Sequence, residues 1–372
     1  AVVFGVSAGV LAASRQNTVT DYVTSAGSLL GISTPIFYLG LLLILLFSLE
    51  LGWFPASGRG PALLPSLAVL ARGKLAENAE ARAVVVVSDS TRPVPYRGRD
   101  SILWPVVKCL LDAGFSAAQV KVLVATGTHR RLNEAEIAHL YDRRVLAAGI
   151  EVHCHDAFDQ AGLVAVGRTE AGVDVMMDRG YVEADLRVLT GLVESHLMAG
   201  ASGGRKSICP GLVGVNSVRD FHGARVLADP LACDLVTDGN PCHDLALEIA
   251  HMAPADFIIN VTCREDGAVM GVFAGAMEEA HARAVADLRR FVSVPIDERY
   301  DVVITHGGKV GVNHYQAAKA AAVAATAVKP GGYIILAADT VDPDPVGSAA
   351  YRSLMGLLRE IGADAFTRLI LS

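Results

Sequence analysis

The run from Val23 to Leu49 contains no charged residue, and it constrains the fold of the first part of the chain more than any other feature. It is longer than the roughly 20 apolar residues that a helix needs to span a bilayer. Pro35 and Gly40 are tolerated in membrane helices, and Trp53 lies where an interfacial anchor is expected. We therefore predict a transmembrane helix at about residues 23–49. A helix buried in a globular core is the alternative.

After Arg72 the pattern changes to short apolar strands that alternate with helices, which indicates a parallel α/β architecture. Strands are predicted at residues 84–87, 120–125, 186–193, 257–261, 302–305 and 333–337. Helices are predicted at residues 102–113, 134–146, 278–291 and 315–328. Asn133 and Glu136 form an N-terminal capping signature for the second helix, and Pro330-Gly331-Gly332 is expected to stop the last one.

The predicted fold class is α/β, with two α/β domains, the site between them, and a transmembrane helical segment in front. The predicted boundaries are 1–72 for the membrane segment, 73–295 for an N-terminal catalytic domain and 296–372 for a C-terminal domain. The chain stops at Ser372 just after an apolar run, so we expect the C-terminal domain to be truncated.

Charge and cysteine content exclude several classes of protein. The 372 residues carry a net charge of −7 without any cluster of Lys and Arg, which argues against a nucleic-acid partner. The six cysteines are irregularly spaced and form no C-x-x-C pair, unlike a disulfide framework or a zinc ribbon. We expect a cytoplasmic location for the catalytic part, and a membrane location if the N-terminal segment is genuine.

The segment from Glu194 to Gly211 is the most informative about function. It is rich in glycine, follows an apolar strand, and carries His196, Arg205 and Lys206. Such a loop could hold an anion on backbone N–H groups while presenting a lysine nucleophile. A solvated surface turn is the alternative. Residues 200–207 almost match a phosphate-binding loop, but Arg205 replaces its second glycine, which argues against nucleotide triphosphate hydrolysis.

Polar side chains follow three predicted strands, and loops after parallel strands converge at one edge of a sheet. They are Asp89, Thr91 and Arg92; His129 and Arg130; and His196 with Arg205 and Lys206. Two histidines from separate strand ends could flank a substrate carbon on opposite faces as acid and base. Each histidine could instead be structural.

A second cluster, His153-Cys154-His155-Asp156, looks like a metal site. In a strand, however, His153 and His155 share one face while Cys154 faces the other, so we do not predict a metal there. His306 lies in the second predicted domain and receives no role.

Residues 29–60 closely resemble the inner-membrane permease subunit of dipeptide and oligopeptide ABC transporters, and the likeness runs from about residue 1 to 70. The remaining helices and the loop that engages the ATPase are absent, so transport by this chain is not expected. We expect a chimeric or mis-assembled fragment, since no initiating Met is present. A genuine membrane-tethered enzyme, associated through residues 23–49, is the alternative.

Residues 73–371 resemble the nickel-dependent lactate racemase family. The motifs that carry the likeness are Asp89-Ser-Thr-Arg-Pro93, Gly127-Thr-His-Arg130, His196-Leu-Met-Ala-Gly-Ala-Ser-Gly-Gly-Arg-Lys206, Phe221-His222-Gly223 and Tyr315-Gln-Ala-Ala-Lys319.

The resemblance implies a nickel pincer nucleotide, Ni(II)-pyridinium-3-thioamide-5-thiocarboxylic acid mononucleotide, attached covalently to Lys206. By motif position His222 would be the nickel ligand, and His129 and His196 the two acid/base groups, with Asp89 supporting the site. The implied cofactor-binding residues are Lys206, Thr91, Gly203, Gly204 and Arg205. The implied substrate-binding residues are Arg92, Tyr315, Gln316 and Lys319.

The function expected from this resemblance is racemisation or epimerisation of a small 2-hydroxy acid, with hydride transfer to the cofactor. The expected partners are that substrate and the enzymes that make the cofactor. Epimerisation of sugar acids and a permease component are the alternatives.

Overall fold

The computed structural model describes residues 64–308 and 311–372, together with Ser14, Thr18, Val19 and Tyr22. The chain divides into two compact units, Ala1–Ala62 and Leu63–Ser372. The predicted transmembrane helix at 23–49 lies outside the described residues. Within the described part, no helix combines the length and the apolar character needed to cross a bilayer.

The unit from Leu63 onward is a mixture of strands and helices, as predicted. The strands are β1 (Ala83–Ser88), β2 (Val120–Ala125), β3 (Glu151–Cys154), β4 (Leu163–Arg168), β5 (Asp174–Asp178), β6 (Leu186–Leu192), β7 (Ser195–His196), β8 (Gly200–Ala201), β9 (Phe257–Cys263), β10 (Val269–Gly275), β11 (Tyr300–His306) and β12 (Val328–Ala337). The α-helices are α1 (Leu64–Glu77), α2 (Leu103–Ala113), α3 (Glu134–Leu140), α4 (Arg143–Ala147), α5 (Arg179–Val182), α6 (Val215–Phe221), α7 (Ala224–Leu227), α8 (Pro241–Met252), α9 (Met277–Val292), α10 (His314–Ala324), α11 (Ala349–Ile361) and α12 (Ala363–Leu371).

Six strands form the main sheet in the order β10-β9-β6-β1-β2-β3. All neighbours are parallel except β10, which runs antiparallel to β9. From β1 the chain continues to β2 and β3 on one side, and later returns to β6 and β9 on the other. The point between β1 and β6 is therefore the topological switch point, where open parallel sheets place ligands outside the carboxyl ends of their strands.

Both faces of this sheet are buried at its central strand β1, which explains why that strand is a continuous apolar run. In β1, Val85 and Val87 pack in one core cluster while Val84 and Val86 pack in the other. Helices α1 and α2 contribute to the first cluster, and helix α8 contributes to the second. Since helix α1 places Leu67 and Ala71 in the core, the α/β packing begins before the predicted boundary at residue 72.

Two predicted helices are wrong in their extent. The capping signature of Asn133 and Glu136 is present, but the helix ends at Leu140. Tyr141 is extended because it is buried and donates its hydroxyl to the carbonyl of Ser88, and Asp142 then caps the separate helix α4.

The helix predicted at 315–328 ends at Ala324. The expected stop at Pro330-Gly331-Gly332 lies inside strand β12, which pairs in parallel with β11 as a separate two-stranded sheet. Strand β12 can include these turn residues because the pairing register between β11 and β12 shifts near the start of β12. The predicted domain boundary between residues 295 and 296 stays a prediction.

Candidate functional site

The loops that follow β1, β2 and β6 carry the polar residues singled out in the sequence, and the strand order places β1 between the other two. Arg92 follows the central strand β1. His129 follows β2 on one side, and His196 follows β6 on the other. The carboxyl ends of parallel strands meet at one edge of a sheet, so these residues come from adjacent loops at the switch point.

Asp89 fixes the ring of His129. The Asp89 carboxylate is buried, and its Oδ2 lies 2.7 Å from His129 Nδ1, while its Oδ1 accepts hydrogen bonds from the N–H and the hydroxyl of Thr91. Burial raises the pKa of Asp89, but the bonds from His129 and Thr91 outweigh burial and leave this pKa below its ordinary value. Because the carboxylate engages Nδ1, Nε2 is the His129 nitrogen left for a ligand. Thr91 therefore supports Asp89 here, and its predicted contact with a cofactor stays a prediction.

Arg92 forms an ion pair with Glu194, a residue that the sequence did not single out. Arg92 Nη1 lies 2.5 Å from Glu194 Oε1, and each side chain is 35% exposed. The backbone of Glu194 is held by Ser202, whose hydroxyl accepts from the Glu194 N–H at 3.0 Å and whose own N–H donates to the Glu194 carbonyl at 3.0 Å. The Arg92–Glu194 ion pair therefore connects the loop after β1 with the loop after β6.

The glycine-rich loop adopts left-handed backbone at the glycines that the sequence marked, as φ is 73° at Gly200 and 77° at Gly203. The backbone at these glycines lies close to other parts of the protein. A Cβ on Gly200 would collide with the carbonyl of Val236, and one on Gly203 would lie 2.8 Å from Asn260 Oδ1. Asn260 also accepts the N–H of Gly204 at 2.8 Å. Contacts of Gly203 and Gly204 with a cofactor stay a prediction.

Arg205 is buried with 2% of its surface exposed, and its guanidinium holds the loop together. It donates to the carbonyls of Ala199 at 2.7 Å and Ala201 at 3.1 Å. Burial lowers its pKa to about 10, so it remains a cation at neutral pH. Among the described residues it has no carboxylate partner within ion-pair distance. The sequence placed Arg205 at a cofactor, and in this structure its hydrogen bonds go to the loop itself and to His281 on helix α9.

His196 and Lys206 form the central contact of the site, with His196 Nε2 2.8 Å from Lys206 Nζ. The N–H of Ala199 at 3.2 Å and the N–H of Met198 at 3.4 Å both donate to His196 Nδ1. Nδ1 is therefore an acceptor, and the proton of the neutral ring lies on Nε2. Since Nε2–H is a donor, Lys206 Nζ must accept, which only an uncharged amine can do.

Electrostatics agree with this assignment. Burial, followed by the positive charges of Arg92 and Arg205, lowers the pKa of Lys206 well below its ordinary value. Burial also lowers the pKa of His196 far below its ordinary value, with repulsion from nearby cations adding to it. Both shifts favour the uncharged forms that the hydrogen bonds require, and an uncharged Lys206 is a nucleophilic amine.

His222 ends helix α6, and its Nδ1 lies 3.0 Å from the carbonyl of Val218. Nδ1–H therefore donates to that carbonyl, which leaves the lone pair on Nε2. Burial lowers the pKa of His222, so its imidazole stays neutral. The ring packs edge-on against Phe221, over which Lys206 Nζ lies 5.5 Å from the ring centroid.

Helix α10 contributes the remaining predicted residues. Lys319 Nζ lies 5.4 Å from the centre of the Tyr315 ring, and Asn313 caps the helix by accepting the N–H of Gln316. Burial and then the charge of Arg92 lower the pKa of Lys319, which the charge of Glu194 opposes. The fold therefore brings Lys319 into the electrostatic field of the Arg92–Glu194 pair, while contacts of Tyr315 and Gln316 with a substrate stay a prediction.

The structure separates the two histidines of the second cluster. The strand ends at Cys154, so the predicted shared face of His153 and His155 is wrong. His153 is exposed, whereas His155 is buried between Asp178 Oδ2 at 3.0 Å and the carbonyl of Val213 at 3.1 Å. Within residues 64–308 and 311–372, no group of three His, Cys, Asp or Glu side chains is arranged to hold a metal ion.

Residues 69–233 match the family described as the lactate racemase N-terminal domain. A lactate racemase from Lactiplantibacillus plantarum is 34% identical over 274 residues, which cover 73% of this chain and 62% of the relative. The structure of the lactate racemase apoprotein from Thermoanaerobacterium thermosaccharolyticum aligns with a TM-score of 0.70 at 28% identity, covering 78% of this chain and 72% of that one. This chain spans about three fifths of the length of the curated lactate racemases that it matches.

A short stretch is similar to transport proteins, as the sequence indicated. The di/tripeptide transport system permease from Pseudomonas aeruginosa is 52% identical over 56 residues, which cover 15% of this chain and 17% of the permease. Two unrelated similarities therefore occur in one chain, and the one to lactate racemases covers far more of it.

Proposed function

We propose that the α/β part of this chain is a racemase or epimerase of small 2-hydroxy acids. The observation that carries the proposal is the order of the three loops at the switch point, with His129 and His196 on either side of Arg92. The similarity to lactate racemases supports the same reaction.

Inversion at the 2-carbon requires hydrogen to leave one face and to return to the other. Arg92 would hold the substrate carboxylate, since guanidinium binds carboxylates through parallel N–H donors. An imidazole on each side of this anchor would hydrogen-bond the oxygen on the 2-carbon, His129 through the lone pair of Nε2 as a proton acceptor and His196 through Nε2–H as a proton donor. Asp89 would keep His129 Nε2 directed at the substrate by binding Nδ1.

The residues present fit the nickel pincer nucleotide that the family resemblance implies. Lys206 offers an uncharged, partly buried amine for a covalent bond, and His222 offers a neutral Nε2 lone pair, which suits Ni(II). When bound, this cofactor supplies an acceptor for the hydrogen on the 2-carbon.

Attachment at Lys206 would also change His196. In this structure His196 Nε2 is occupied by the Lys206 amine. An amide or thioamide nitrogen has its lone pair delocalised, so it no longer accepts a hydrogen bond. His196 Nε2–H would then be released to donate to the substrate oxygen, and the same covalent bond would both fix the cofactor and free His196 as a proton donor.

The test is to produce the protein together with cofactor-making enzymes and to measure intact mass, nickel content and the interconversion of D- and L-lactate by chiral chromatography. We expect an adduct on Lys206 and equal amounts of both enantiomers at equilibrium from either one. Lys206→Ala should lose the adduct, whereas Lys108→Ala, an exposed lysine on helix α2, should keep it. Adduct-bearing, folded protein that interconverts no 2-hydroxy acid would refute the proposal.

A permease component is the weaker candidate, since the similarity to permeases covers 15% of this chain in one match and 34% in another, against 73% for a lactate racemase. Sequencing across codons 60–80 in the source genome decides whether the two parts form one gene. A break there would assign the transport similarity to a separate gene.

A further inference from the structure

The ion pair between Arg92 and Glu194 lies where a substrate carboxylate is expected to bind. Its 2.5 Å contact uses one guanidinium nitrogen, Nη1, and leaves the rest of the fork free of Glu194. Both side chains are partly exposed, so a small ligand can reach them. Glu194 thus compensates the charge of Arg92 but leaves other guanidinium N–H groups free to bind a carboxylate.

The position of Glu194 is built into the fold. Two hydrogen bonds between its backbone and the buried Ser202 tie it to the glycine-rich loop. The carboxylate therefore approaches Arg92 from an anchored backbone, unlike the end of a mobile surface side chain.

A second cation faces the same pair. Lys319 on helix α10 responds to the charges of both Arg92 and Glu194, and within the described ranges it has no carboxylate within ion-pair distance. The nearby groups His196 and Lys206 are uncharged by the hydrogen-bond argument above. The three groups at this pair, Arg92, Lys319 and Glu194, sum to one positive charge, and Arg205 is a further cation that is buried in the glycine-rich loop.

We propose that Glu194 is a specificity-determining residue that restricts this site to 2-hydroxy acids with one carboxylate. One net positive charge matches a single carboxylate, whereas a second carboxylate would meet the negative charge of Glu194. Like-charge contacts are an effective way to reject a competing ligand. The inference rests on the proposed function, because it assumes that a 2-hydroxy acid binds at Arg92.

The test compares binding of lactate, with one carboxylate, and malate, a 2-hydroxy acid with two. Dissociation constants are measured by NMR titration of the full chain without cofactor, so the readout does not depend on turnover. Glu194→Gln removes the charge but keeps an oxygen that can accept from Arg92. Glu183→Gln is the matched control, because it removes one carboxylate from a surface pair with Arg179.

We expect the wild-type protein and Glu183→Gln to prefer lactate, and Glu194→Gln to shift the ratio of the two dissociation constants toward malate by about tenfold or more. The shift should shrink as salt is added, because added ions screen the interaction. A ratio of the lactate and malate dissociation constants that Glu194→Gln leaves unchanged within about twofold would overturn the inference. Equal loss of lactate and malate binding by folded Glu194→Gln would also overturn it, because Glu194 would then be a positioning residue for Arg92. Failure of the wild-type protein to bind either acid would also overturn the inference, whereas the proposed function is refuted separately, by adduct-bearing protein that interconverts no 2-hydroxy acid.

Discussion

The hydrogen bonds of His196 predict that Lys206 is an uncharged amine at neutral pH, and this can be tested by changing the pH during chemical labelling. Only an uncharged amine reacts with acetic anhydride: its nitrogen forms the new C–N bond, acetate leaves, and the excess proton goes to buffer. A trace of reagent keeps the protein folded. The extent of labelling at each lysine is then read from peptide masses between pH 7 and pH 9.

The size of the effect follows from the ordinary pKa of lysine, about 10.4. At pH 7 an ordinary lysine is uncharged in only about one molecule in 2,500, and this fraction rises about 100-fold by pH 9. Lys206 is held uncharged already at pH 7, so its labelling should rise less than about twofold. The ratio of Lys206 to Lys108 labelling should therefore fall by about two orders of magnitude across this range.

Lys206 labelling that rises with pH in step with Lys108 would refute the tautomer assigned to His196. A second measurement covers the case in which the reagent fails to reach Lys206. A lysine whose pKa is lower in the folded state binds fewer protons there than in the unfolded chain, so stability rises with pH up to about 10.4. Lys206→Met should thus raise the free energy of unfolding at pH 7, and this gain should shrink as pH rises toward 10.

Four further outcomes follow from the geometry. His222→Ala should lose most of its nickel while its circular dichroism stays unchanged; unchanged nickel content would remove His222 from the site. His129→Ala and His196→Ala should each lose racemisation in both directions by about 10²–10⁴-fold. In a single-turnover experiment, each variant should still reduce the cofactor with one pure enantiomer. Equal losses of cofactor reduction with both enantiomers would contradict the two-sided arrangement. Asp89→Asn should lower the free energy of unfolding above about pH 4, and the difference should vanish as pH falls through the lowered pKa of Asp89, which urea unfolding at several pH values would check. Gly200→Ala should destabilise the fold by more than the about 1–2 kcal/mol cost of a left-handed backbone, because its Cβ would meet a carbonyl; a thermal midpoint like that of the wild-type protein would contradict this.

The strands of the main sheet could be predicted because both of its faces are buried. Val84 to Val87 are apolar at consecutive positions, and residues 186–192 are mostly apolar, which leaves little choice of structure. The polar residues that follow these strands could be predicted to meet for the same reason. Local hydrogen bonding also determined the start of helix α3, where Asn133 and Glu136 cap each other.

Long-range contacts could not be predicted in the same way. Helix α3 ends early because Tyr141 bonds to Ser88, which is distant in sequence. Glu194 lies at a strand end like the other site residues, and its place after β6 could have singled it out. Its pairing with Arg92, however, depends on β1 and β6 being neighbours. The role of Asn260 depends on the fold of the glycine-rich loop.

Arg205 shows how a residue that serves the structure also determines the chemistry of its neighbours. Its terminal nitrogens bond to backbone carbonyls and to His281, and since no carboxylate among the described residues pairs with it, its charge is left without a partner of opposite sign. That charge disfavours protonation of Lys206 and His196, and burial acts in the same direction. Burial is the largest cause of the lowered pKa of both groups, and the permanent cation of Arg205 adds to it. A phosphate-binding loop has glycine at this position and cannot supply that charge. Arg205 therefore distinguishes this loop from a phosphate-binding loop, and its charge also favours an uncharged, reactive amine at Lys206.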